Sequence, residues 1–566
     1  MNIVAIARGH NASTTLLVDG KVKFYIEEER LSKFKYDGAP FLGLMEVFKH
    51  VDHIDHLIVC HTHRFGPILD WTGEDAYVGF VRKMSKKKFK CQTYYWDTFH
   101  HQLHAAAGFY NSGFDSAACV IVDGAGSFLK IDNIEDTCYE MESIFQASYP
   151  GKFDLVYKHI GTKESIGYNY NKEENVHYTE YPGIVKCYEA VTEYCGFAAI
   201  EAGKLMGLAP YGKENNSIPS FFRNGWGNRD IIKPTYPSAA KLLSQRVPGL
   251  QEDEENQVKG EFTDLQKDLA YKIQQESQEQ VIKLIRQAHE LTGEKNIVIC
   301  GGYGLNCVAN YNYWKEFPDL NIYCEPISHD GGTSIGAAKL LYNTLTEKTT
   351  PEKQESVYYG PQYNVTTYED TLKKLDVEYQ DATYEDVAKL IAEENIVTIF
   401  QGRSEGGPRA LGNRSILFDP RVKDGKDKVN AVKHREWFRP FAGSILEEHV
   451  HEWFDLAGRE TTPHMMYAVS CQPGVEEKVP SVIHVDSTCR IQTVNKEQNL
   501  HYYNLISAFN ELTGTPLLFN TSFNLGGDPL VETLEDAIDT LRRSQMEYLF
   551  LPEINKLVKV ENVSHE

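Results

Sequence analysis

The chain has 566 residues, a length at which two or three domains are expected instead of a single core. It carries 58 basic and 80 acidic side chains, and its formal charge of −22 argues against general nucleic-acid binding while leaving room for a local basic patch. It has no apolar run that could span a bilayer, and its eleven cysteines form no CxxC pair. Because its first residues are predicted as a strand, without the layout of a signal peptide, we expect a cytoplasmic protein with buried thiols and no membrane partner.

The first third of the chain is predicted as short strands joined by turns. The predicted strands are six or seven residues long, and the turn Asp19–Gly20 joins two of them into a hairpin. We predict strands at Asn2–Arg8, Ser13–Val18, Lys21–Ile26, Ile54–Cys60 and Ala117–Asp123, and a helix at Phe99–Tyr110. The segment Glu140–Tyr181 is predicted to be irregular and is rich in tyrosine.

The longest helical pattern is Asp264–Leu291, which has one apolar stripe and Thr263 as its N-cap. A strand at Asn296–Cys300 and a helix at Gly331–Tyr342 follow. The polar, proline-containing segment Leu345–Val357 is the best domain boundary in the chain. The predicted division is a first domain at 1–345, a linker at 346–357 and a second domain at 358–566.

The second domain is predicted to contain both strands and helices, as expected of an α/β fold. The predicted helices are Tyr384–Glu394, Tyr502–Leu512 and Leu534–Arg543, and the predicted strands are Ile396–Gln401, Met465–Cys471, Cys489–Val494 and Leu517–Asn520. No internal repeat is visible by eye in the sequence.

Three glycine-containing turns follow apolar strands: Gly9–Ser13, Asp123–Ser127 and Gly301–Asn306. A single turn of this kind usually only reverses the chain. Three in this order are typical of the phosphate-embracing loops of actin/sugar-kinase ATPases, where two loops face each other across a cleft. Gly302 and Asn306 are therefore candidates for nucleotide binding.

The sequence FHHQLHAAAGF places His100 and His104 on one face of the predicted helix, because residues four apart lie on one face. With Asp123 and Asp330 they form a nitrogen and oxygen ligand set that suits Fe(II), Zn(II) or Mn(II). The histidine pair alone is more often a helix cap or interior packing than a ligand pair. His101 is an alternative ligand.

The stretch Gly402–Pro440 holds six arginines and four lysines in 39 residues. Arg409, Arg414 and Arg439 lie within two residues of Gly or Pro, where backbone can approach a ligand and a guanidinium can pair a phosphate at two points. This pattern predicts a pocket for a polyanionic small molecule. The alternative is a solvated basic loop.

The motifs GHNASTTLLVDG, EEERLSKFK, HHQLHAA, VDGAGS, EAGKLMGLAPYG, GGYGLNCVAN, HDGGTSIGAA and TGTPLLFNTSFNLGGDP together resemble the NodU/CmcH family of O-carbamoyltransferases over nearly the whole chain. The resemblance implies an actin/sugar-kinase-like (ASKHA) two-lobed domain followed by a YrdC-like α/β domain. It also implies that a metal, usually Fe(2+), binds in the first domain at His100, His104, Asp123 and Asp330. His10 and Lys35 match positions near the acceptor, His10 as a general base, although Lys35 is equally typical of an exposed charge.

For the second domain, the resemblance implies that carbamoyl phosphate and ATP, with Mg(2+), are converted to carbamoyl-adenylate. The carbamoyl group then passes to an acceptor hydroxyl in the first domain. The residues implied for ligand binding are Lys433 and Arg439, with Arg409, Arg414, Arg490, Asn520 and Ser522 as further candidates. Asn520 and Ser522 are alternatively loop residues that bond to the backbone.

The sequence features fit more than one class of acceptor. Val81–Lys90 holds six basic residues, and Glu140–Tyr181 holds six tyrosines. These features suit an acceptor such as 5-hydroxymethylcytosine or another hydroxymethylated pyrimidine in DNA, or a sugar or natural-product hydroxyl. The alternative is a solvated lysine face beside a tyrosine-rich loop. The alternative functions are a tRNA threonylcarbamoyl-adenosine-type transferase and a non-catalytic ATP-binding regulator. A homodimer is a further open expectation.

Overall fold

The structure is a computed structural model that describes residues 1–62, 69, 73–86, 91–236, 239–258, 260–354 and 356–560. The chain forms two compact units: Met1–Lys23 with Gly38–Gln354, and Phe24–Asp37 with Glu355–Glu566. The boundary after Gln354 lies inside the predicted linker. The predicted linear division is wrong for one segment: Phe24–Asp37 lies in the predicted first domain but belongs to the second unit.

The first part of the chain has five strands that form one sheet, with helices between them. Its elements are β1 (Asn2–Ala7), β2 (Ser13–Val18), β3 (Lys21–Glu27), α1 (Glu28–Ser32), α2 (Phe41–Val47), β4 (His56–Cys60), α3 (Ala76–Met84), β5 (Gln92–Trp96) and α4 (His100–Ser112). The sheet order is β3-β2-β1-β4-β5, with β2 antiparallel to β1 and β4 parallel to it. All six residues of β1 are buried, as expected for a central strand.

The remainder of the first unit contains a second, larger sheet. Its elements are β6 (Ser116–Val122), β7 (Phe128–Leu129), β8 (Cys138–Ser148), β9 (Lys152–Gly161), β10 (Tyr168–Asn171), β11 (Val176–Thr179), α5 (Ile184–Tyr194), α6 (Ala202–Leu208), β12 (Phe222–Arg223), β13 (Trp226–Gly227), β14 (Ile232–Tyr236), β15 (Ala239–Leu242), α7 (Leu250–Asn256), α8 (Asp264–Thr292), β16 (Asn296–Cys300), α9 (Cys307–Glu316), β17 (Asn321–Cys324) and α10 (Thr333–Thr346). The sheet order is β10-β11-β9-β8-β6-β16-β17, and β7 pairs with β8.

The two sheets of the first unit repeat one topology. In the second sheet, β8 is antiparallel to β6, β16 is parallel to β6, and β9 and β17 extend the two sides. The order β9-β8-β6-β16-β17 therefore corresponds strand by strand to β3-β2-β1-β4-β5. The sequence shows no repeat because strand order depends on backbone pairing and burial, which many unrelated residues satisfy.

The segment Glu140–Tyr181 is not irregular, so that prediction is wrong: it contains most of β8 together with β9, β10 and β11. The first eight residues of β8 are all buried, and several are polar. Both faces of the strand are covered, and the alternation that signals a half-exposed strand is therefore missing from the sequence. In contrast, α8 begins after the predicted cap, where Thr263 Oγ1 accepts a hydrogen bond from the Gln266 N–H at 3.1 Å.

The second unit is built on one ten-stranded mixed sheet with the order β18-β27-β26-β19-β20-β25-β21-β24-β23-β22. Its elements are α11 (Tyr368–Lys374), β18 (Glu378–Asp381), α12 (Tyr384–Ala392), β19 (Val397–Phe400), β20 (Arg414–Phe418), α13 (Gly425–Val432), β21 (Ala442–Leu446), α14 (Val450–Trp453), β22 (Phe454–Asp455), β23 (Ala468–Cys471), α15 (Val475–Lys478), β24 (Thr488–Val494), α16 (Leu500–Thr513), β25 (Leu517–Ser522), α17 (Leu534–Arg542), β26 (Tyr548–Leu551) and β27 (Lys556–Lys559). The mixed α/β fold predicted from the sequence is thus confirmed. Within the described ranges, no helix is both long and apolar enough to cross a membrane.

Candidate functional site

Two histidines and two aspartates converge in the first unit. The Nε2 atoms of His100 and His104 lie 3.1 Å apart. His100 Nε2 is 3.3 Å from Asp123 Oδ2 and 3.5 Å from Asp330 Oδ1, and one ligand atom from each of the four residues lies within 4.8 Å of every other. Ligand atoms about 2.1 Å from a common ion would lie about 3.0 to 3.4 Å from each other, which is close to the three separations at His100 Nε2. His104 Nε2 lies 3.9 Å from Asp123 Oδ2 and 3.7 Å from Asp330 Oδ1, so a small inward shift of these groups would let the four bind one small divalent cation.

Close packing of α4 against α10 holds this cluster together. His100 and His104 occupy the first turns of α4, and Asp330 lies in a single helical turn just before α10. A Cβ added to Gly336 of α10 would lie 2.0 Å from the Leu103 carbonyl oxygen, so the two helices approach more closely than any side chain there would permit. Glycine at this position therefore fixes the distance between the histidines and Asp330.

A second glycine turn supports Asp123, which directly follows β6. Gly301 has a φ of +89°, and a Cβ at this residue would lie 2.5 Å from the Val122 carbonyl oxygen. This turn directs the Gly302 N–H to Asp123 Oδ1 at 3.1 Å. Gly302 thus orients a candidate metal ligand. Asn306 instead caps α9 and exchanges hydrogen bonds with Gln274 at 3.1 and 3.2 Å.

The charges of the cluster are mutually stabilising. Burial alone would lower the pKa of His100. The charge of Asp330 and hydrogen bonds to both aspartates outweigh burial and raise this pKa to about 10. Burial raises the pKa of Asp123 and of Asp330, yet the neighbouring histidines hold the pKa of both carboxyl groups below the usual range. A divalent cation in place of the histidine protons would favour the same carboxylate forms.

The other histidine and lysine candidates lie in different environments. His10 is half-exposed, with Nε2 3.9 Å from Asp330 Oδ2, beside the cluster. His101 points away from it and bonds through Nδ1 to Ser143 Oγ at 2.8 Å, and burial lowers its pKa to about 4. Lys35 belongs to the second unit, where its Nζ donates to Glu29 at 2.6 Å.

The second unit contains a cluster of cationic side chains around Lys433. Burial and the charges of Arg435 and Arg439 hold the pKa of Lys433 well below its usual range. The Lys433 Nζ donates to the Ser522 carbonyl and, at 3.1 Å, to Asn524 Oδ1. Lys433 thus meets neutral oxygens of the β25 end instead of a carboxylate, and an anion would stabilise its charged form.

Arg435 is the functional candidate that sequence reasoning missed. Burial, followed by the positive charges of Arg439, Arg490 and Arg409, holds its pKa well below the usual range, against the opposing charge of Glu436. Its guanidinium lies 4.8 Å from the centre of the Phe441 ring. The signal was present in KHREWFRPF, where Arg435 lies between the two predicted ligand-binding residues Lys433 and Arg439. These five residues, Arg409, Lys433, Arg435, Arg439 and Arg490, are called the cation cluster below.

Arg414, predicted as an anion-binding residue, lies among backbone carbonyls. Its fully buried guanidinium lies 3.7 Å from the Phe400 ring centre and donates to the carbonyls of Gln401 and Gly402 at 2.6 and 3.2 Å. Its guanidinium also lies 3.9 Å from Glu532, and these contacts hold the loop of residues 402–414. Asn520 is also buried, and its Nδ2 donates to the Ala410 carbonyl at 3.2 Å.

The segment Phe24–Asp37 braces the glycine-rich loop of residues 402–414. Arg30 donates to the carbonyls of Glu405 and, at 2.7 Å, of Gly407, and Glu27 accepts from the Gly407 N–H at 3.1 Å. Glu405 in turn accepts backbone N–H bonds through Oε1 from three loop residues: Leu411, Asn413 and Arg414. The loop that carries Arg409 therefore depends on a segment encoded near the start of the chain.

Comparison with known proteins identifies one family model in each unit. The family described as Carbamoyltransferase N-terminus matches residues 65–339, and the one described as Carbamoyltransferase C-terminus matches residues 388–557. The nodulation protein NolNO of Sinorhizobium fredii is 29% identical over 98% of this chain and 80% of its own length. NolO of Bradyrhizobium diazoefficiens is 31% identical over 80% of this chain and 77% of its own.

Solved structures are more distant. Full-length HypF in its phosphate- and nucleotide-bound form is 12% identical to this chain. The match covers 62% of this chain and 56% of the HypF chain, and its TM-score of 0.36 is too low to establish a shared fold. The relationship is shown by the two matched regions, which lie one in each unit, and by the curated relatives. The chain belongs to the carbamoyltransferase family and is a carbamoyltransferase.

Proposed function

We propose that the protein is an ATP-dependent O-carbamoyltransferase that works in two steps. The second unit, proposed to be YrdC-like, forms carbamoyl-adenylate from carbamoyl phosphate and ATP. The first unit, proposed to be of the actin/sugar-kinase class because its sheets repeat one strand order, transfers the carbamoyl group to an acceptor hydroxyl. The observation that carries the proposal is the cation cluster, in which buried Lys433 donates to neutral oxygens of Ser522 and Asn524 and the charges of Arg439, Arg490 and Arg409 act on Arg435.

The cation cluster suits the first step because two polyanions must meet there. Carbamoyl phosphate first loses phosphate to water and leaves carbamate. A carbamate oxygen then attacks the α-phosphorus of ATP, the bond to the β-phosphate oxygen breaks, and pyrophosphate leaves; Mg(2+) supplied with ATP would neutralise the charge of the leaving group. Lys433, Arg435 and Arg439 offset the repulsion between the two anions and stabilise the charge that develops on the equatorial oxygens.

The four-residue cluster of the first unit suits the second step. When bound by His100, His104, Asp123 and Asp330, Fe(2+) or another divalent ion supplies Lewis-acid polarisation of a phosphoryl or carbonyl oxygen. His10 lies beside this cluster and is proposed to accept the proton of the acceptor hydroxyl. The hydroxyl oxygen then bonds to the carbamoyl carbon, and AMP leaves with the electron pair of the broken bond.

The proposal is tested by incubating the protein with ATP, Mg²⁺ and carbamoyl phosphate and measuring pyrophosphate. We expect release that depends on carbamoyl phosphate and falls at least about a hundredfold in Arg435→Met, since a charge-stabilising donor contributes about that factor. Lys428→Met is the matched control, because Lys428 is an exposed lysine of the same basic stretch that pairs with Glu394 at 2.8 Å. Release that requires threonine and bicarbonate instead would establish a threonylcarbamoyl transferase, and release from neither mixture would refute both.

A further inference from the structure

The outer edge of the larger sheet in the first unit carries a cluster of rings that the two proposed steps do not use. Tyr168 and Tyr170 of β10 are 50% and 40% exposed. The Tyr170 ring stacks on His177 with centroids 4.6 Å apart and planes within 18°, and Tyr168 lies 6.2 Å from Trp226 of β13. These four residues, Tyr168, Tyr170, His177 and Trp226, are called the aromatic platform.

Buried polar residues hold the platform in place from below. The His159 ring meets the edge of Trp226 at 4.4 Å, and its Nδ1 and Nε2 bond to Glu142 at 2.6 Å and Thr179 at 2.7 Å. All three polar residues are buried. A ring whose support is fixed by two hydrogen bonds loses little conformational freedom when a ligand binds, so the platform is preorganised.

The position of Trp226 is fixed by a tight backbone contact. The Gly227 N–H donates to the Pro182 carbonyl at 3.0 Å, and a Cβ at Gly227 would lie 2.4 Å from that same proline. The two-stranded turn that presents Trp226 is therefore pressed against the segment before α5. The exposed rings are held by the fold instead of being free surface side chains.

The platform is connected to the candidate metal centre by one row of paired strand residues. Val122 pairs with Glu142, Glu142 with His159, His159 with His177, and His177 with Tyr170. Four steps between neighbouring strands span about 19 Å. Val122 directly precedes Asp123, so the platform lies several sugar-ring lengths away from the proposed site of transfer.

The charges around the platform do not favour a phosphate backbone. Lys158 pairs with Glu140, Arg229 with Glu180 at 2.7 Å, and Arg223 with Asp230 at 2.9 Å. The tip of the β10–β11 hairpin adds one lysine and two glutamates in the sequence KEE. Burial and His159 lower the pKa of His177 to about 4, so this ring is neutral at physiological pH. Nucleic acid binding relies on cations that are available to phosphates, which these are not.

We propose that the aromatic platform binds a sugar ring of the acceptor, so that the acceptor is a neutral oligosaccharide or glycoside that reaches from the platform to the transfer site. This inference rests on the proposed function. The C–H face of a sugar carries partial positive charge and packs on the negative face of an aromatic ring. A neutral ring ligand requires no cation, and the net charge of −22 does not repel it.

The test uses the full chain and saturation-transfer NMR with three tetrasaccharides: β-1,4-linked glucose, α-1,4-linked glucose and β-1,4-linked N-acetylglucosamine. We expect at least one to bind, and Tyr168→Ala/Tyr170→Ala to weaken that binding about tenfold or more. The double variant Tyr168→Phe/Tyr170→Phe keeps both rings and should retain binding. Tyr95→Ala is the control, since Tyr95 is a 49% exposed tyrosine on the other sheet of this unit.

Each result decides the proposal. Binding by none of the three sugars, or equal binding by the alanine and phenylalanine variants, overturns it. A single-stranded DNA oligonucleotide that binds in a manner dependent on Tyr168 and Tyr170, while the sugars do not, would assign the platform to bases instead. Pyrophosphate release from ATP and carbamoyl phosphate should be unchanged in the alanine variant, so failure of the platform is distinguishable from failure of the two-step function.

Discussion

Removal of Arg30 should loosen the loop that carries Arg409. Burial lowers the pKa of Arg30, but Glu27, Glu532 and Glu405 raise it above its usual value, so the cation is paired within the interior. Loss of one partner from a buried charge network costs about 3 to 5 kcal/mol. Arg30→Met should therefore accelerate amide exchange in peptides covering residues 405–414 by about a hundredfold to several thousandfold, since about 1.4 kcal/mol is tenfold.

Lys33→Met is the matched control for this prediction. Lys33 lies on the same short segment and pairs with Asp536, but its side chain is 46% exposed. Such exposed pairs contribute at most about 1 kcal/mol, so exchange should change less than about tenfold. Arg30→Lys should lie between the two, because lysine keeps the charge but not the two-carbonyl geometry. Hydrogen-exchange mass spectrometry on the full chain measures all three variants, and equal exchange in Arg30→Met and Lys33→Met would refute the brace.

Three further outcomes follow from the two centres. His104→Ala should abolish metal binding and carbamoyl transfer while pyrophosphate release persists; loss of both activities in a folded variant would contradict separate centres. Gly336→Ala should weaken metal affinity about tenfold to a hundredfold, because its Cβ meets the Leu103 carbonyl, whereas Gly203→Ala, which meets open space, should not. Binding of carbamoyl phosphate at mildly alkaline pH should take up a proton, because the pKa of Lys433 is lowered in the free protein and an anion raises it again. Calorimetry in buffers of different ionisation enthalpy measures this uptake, which should vanish in Lys433→Met.

The sequence was informative wherever local spacing determines geometry. A four-residue spacing on a helix places His100 and His104 on the same face. The glycine after the apolar run predicts that the strand ends at Asp123. Thr263 was predictable as a cap because its chemistry is local. The convergence of these residues with Asp330 required the resemblance, because a contact between residues so distant in the chain leaves no periodic signal.

Other features depend on partners that lie far away in the sequence. Arg414 and Arg435 look alike in a basic stretch, yet Arg414 donates to backbone carbonyls and Arg435 lies among like charges. Their difference arises from the tertiary surroundings of each guanidinium. The predicted basic patch Val81–Lys90 is described only as far as Lys86, and its last four residues lie outside the described ranges.

The brace formed by Phe24–Asp37 also sets an order of events during synthesis. Arg30 is made 375 residues before Glu405, the loop residue whose carbonyl it bonds. At about 5 to 20 residues per second, the ribosome needs about 20 to 75 s to supply that partner. During this interval a segment that begins with Phe24, Tyr25 and Ile26, all buried in the finished protein, has none of its second-unit neighbours. The nascent chain must therefore keep this apolar segment from non-native contacts until the second half of the chain has emerged.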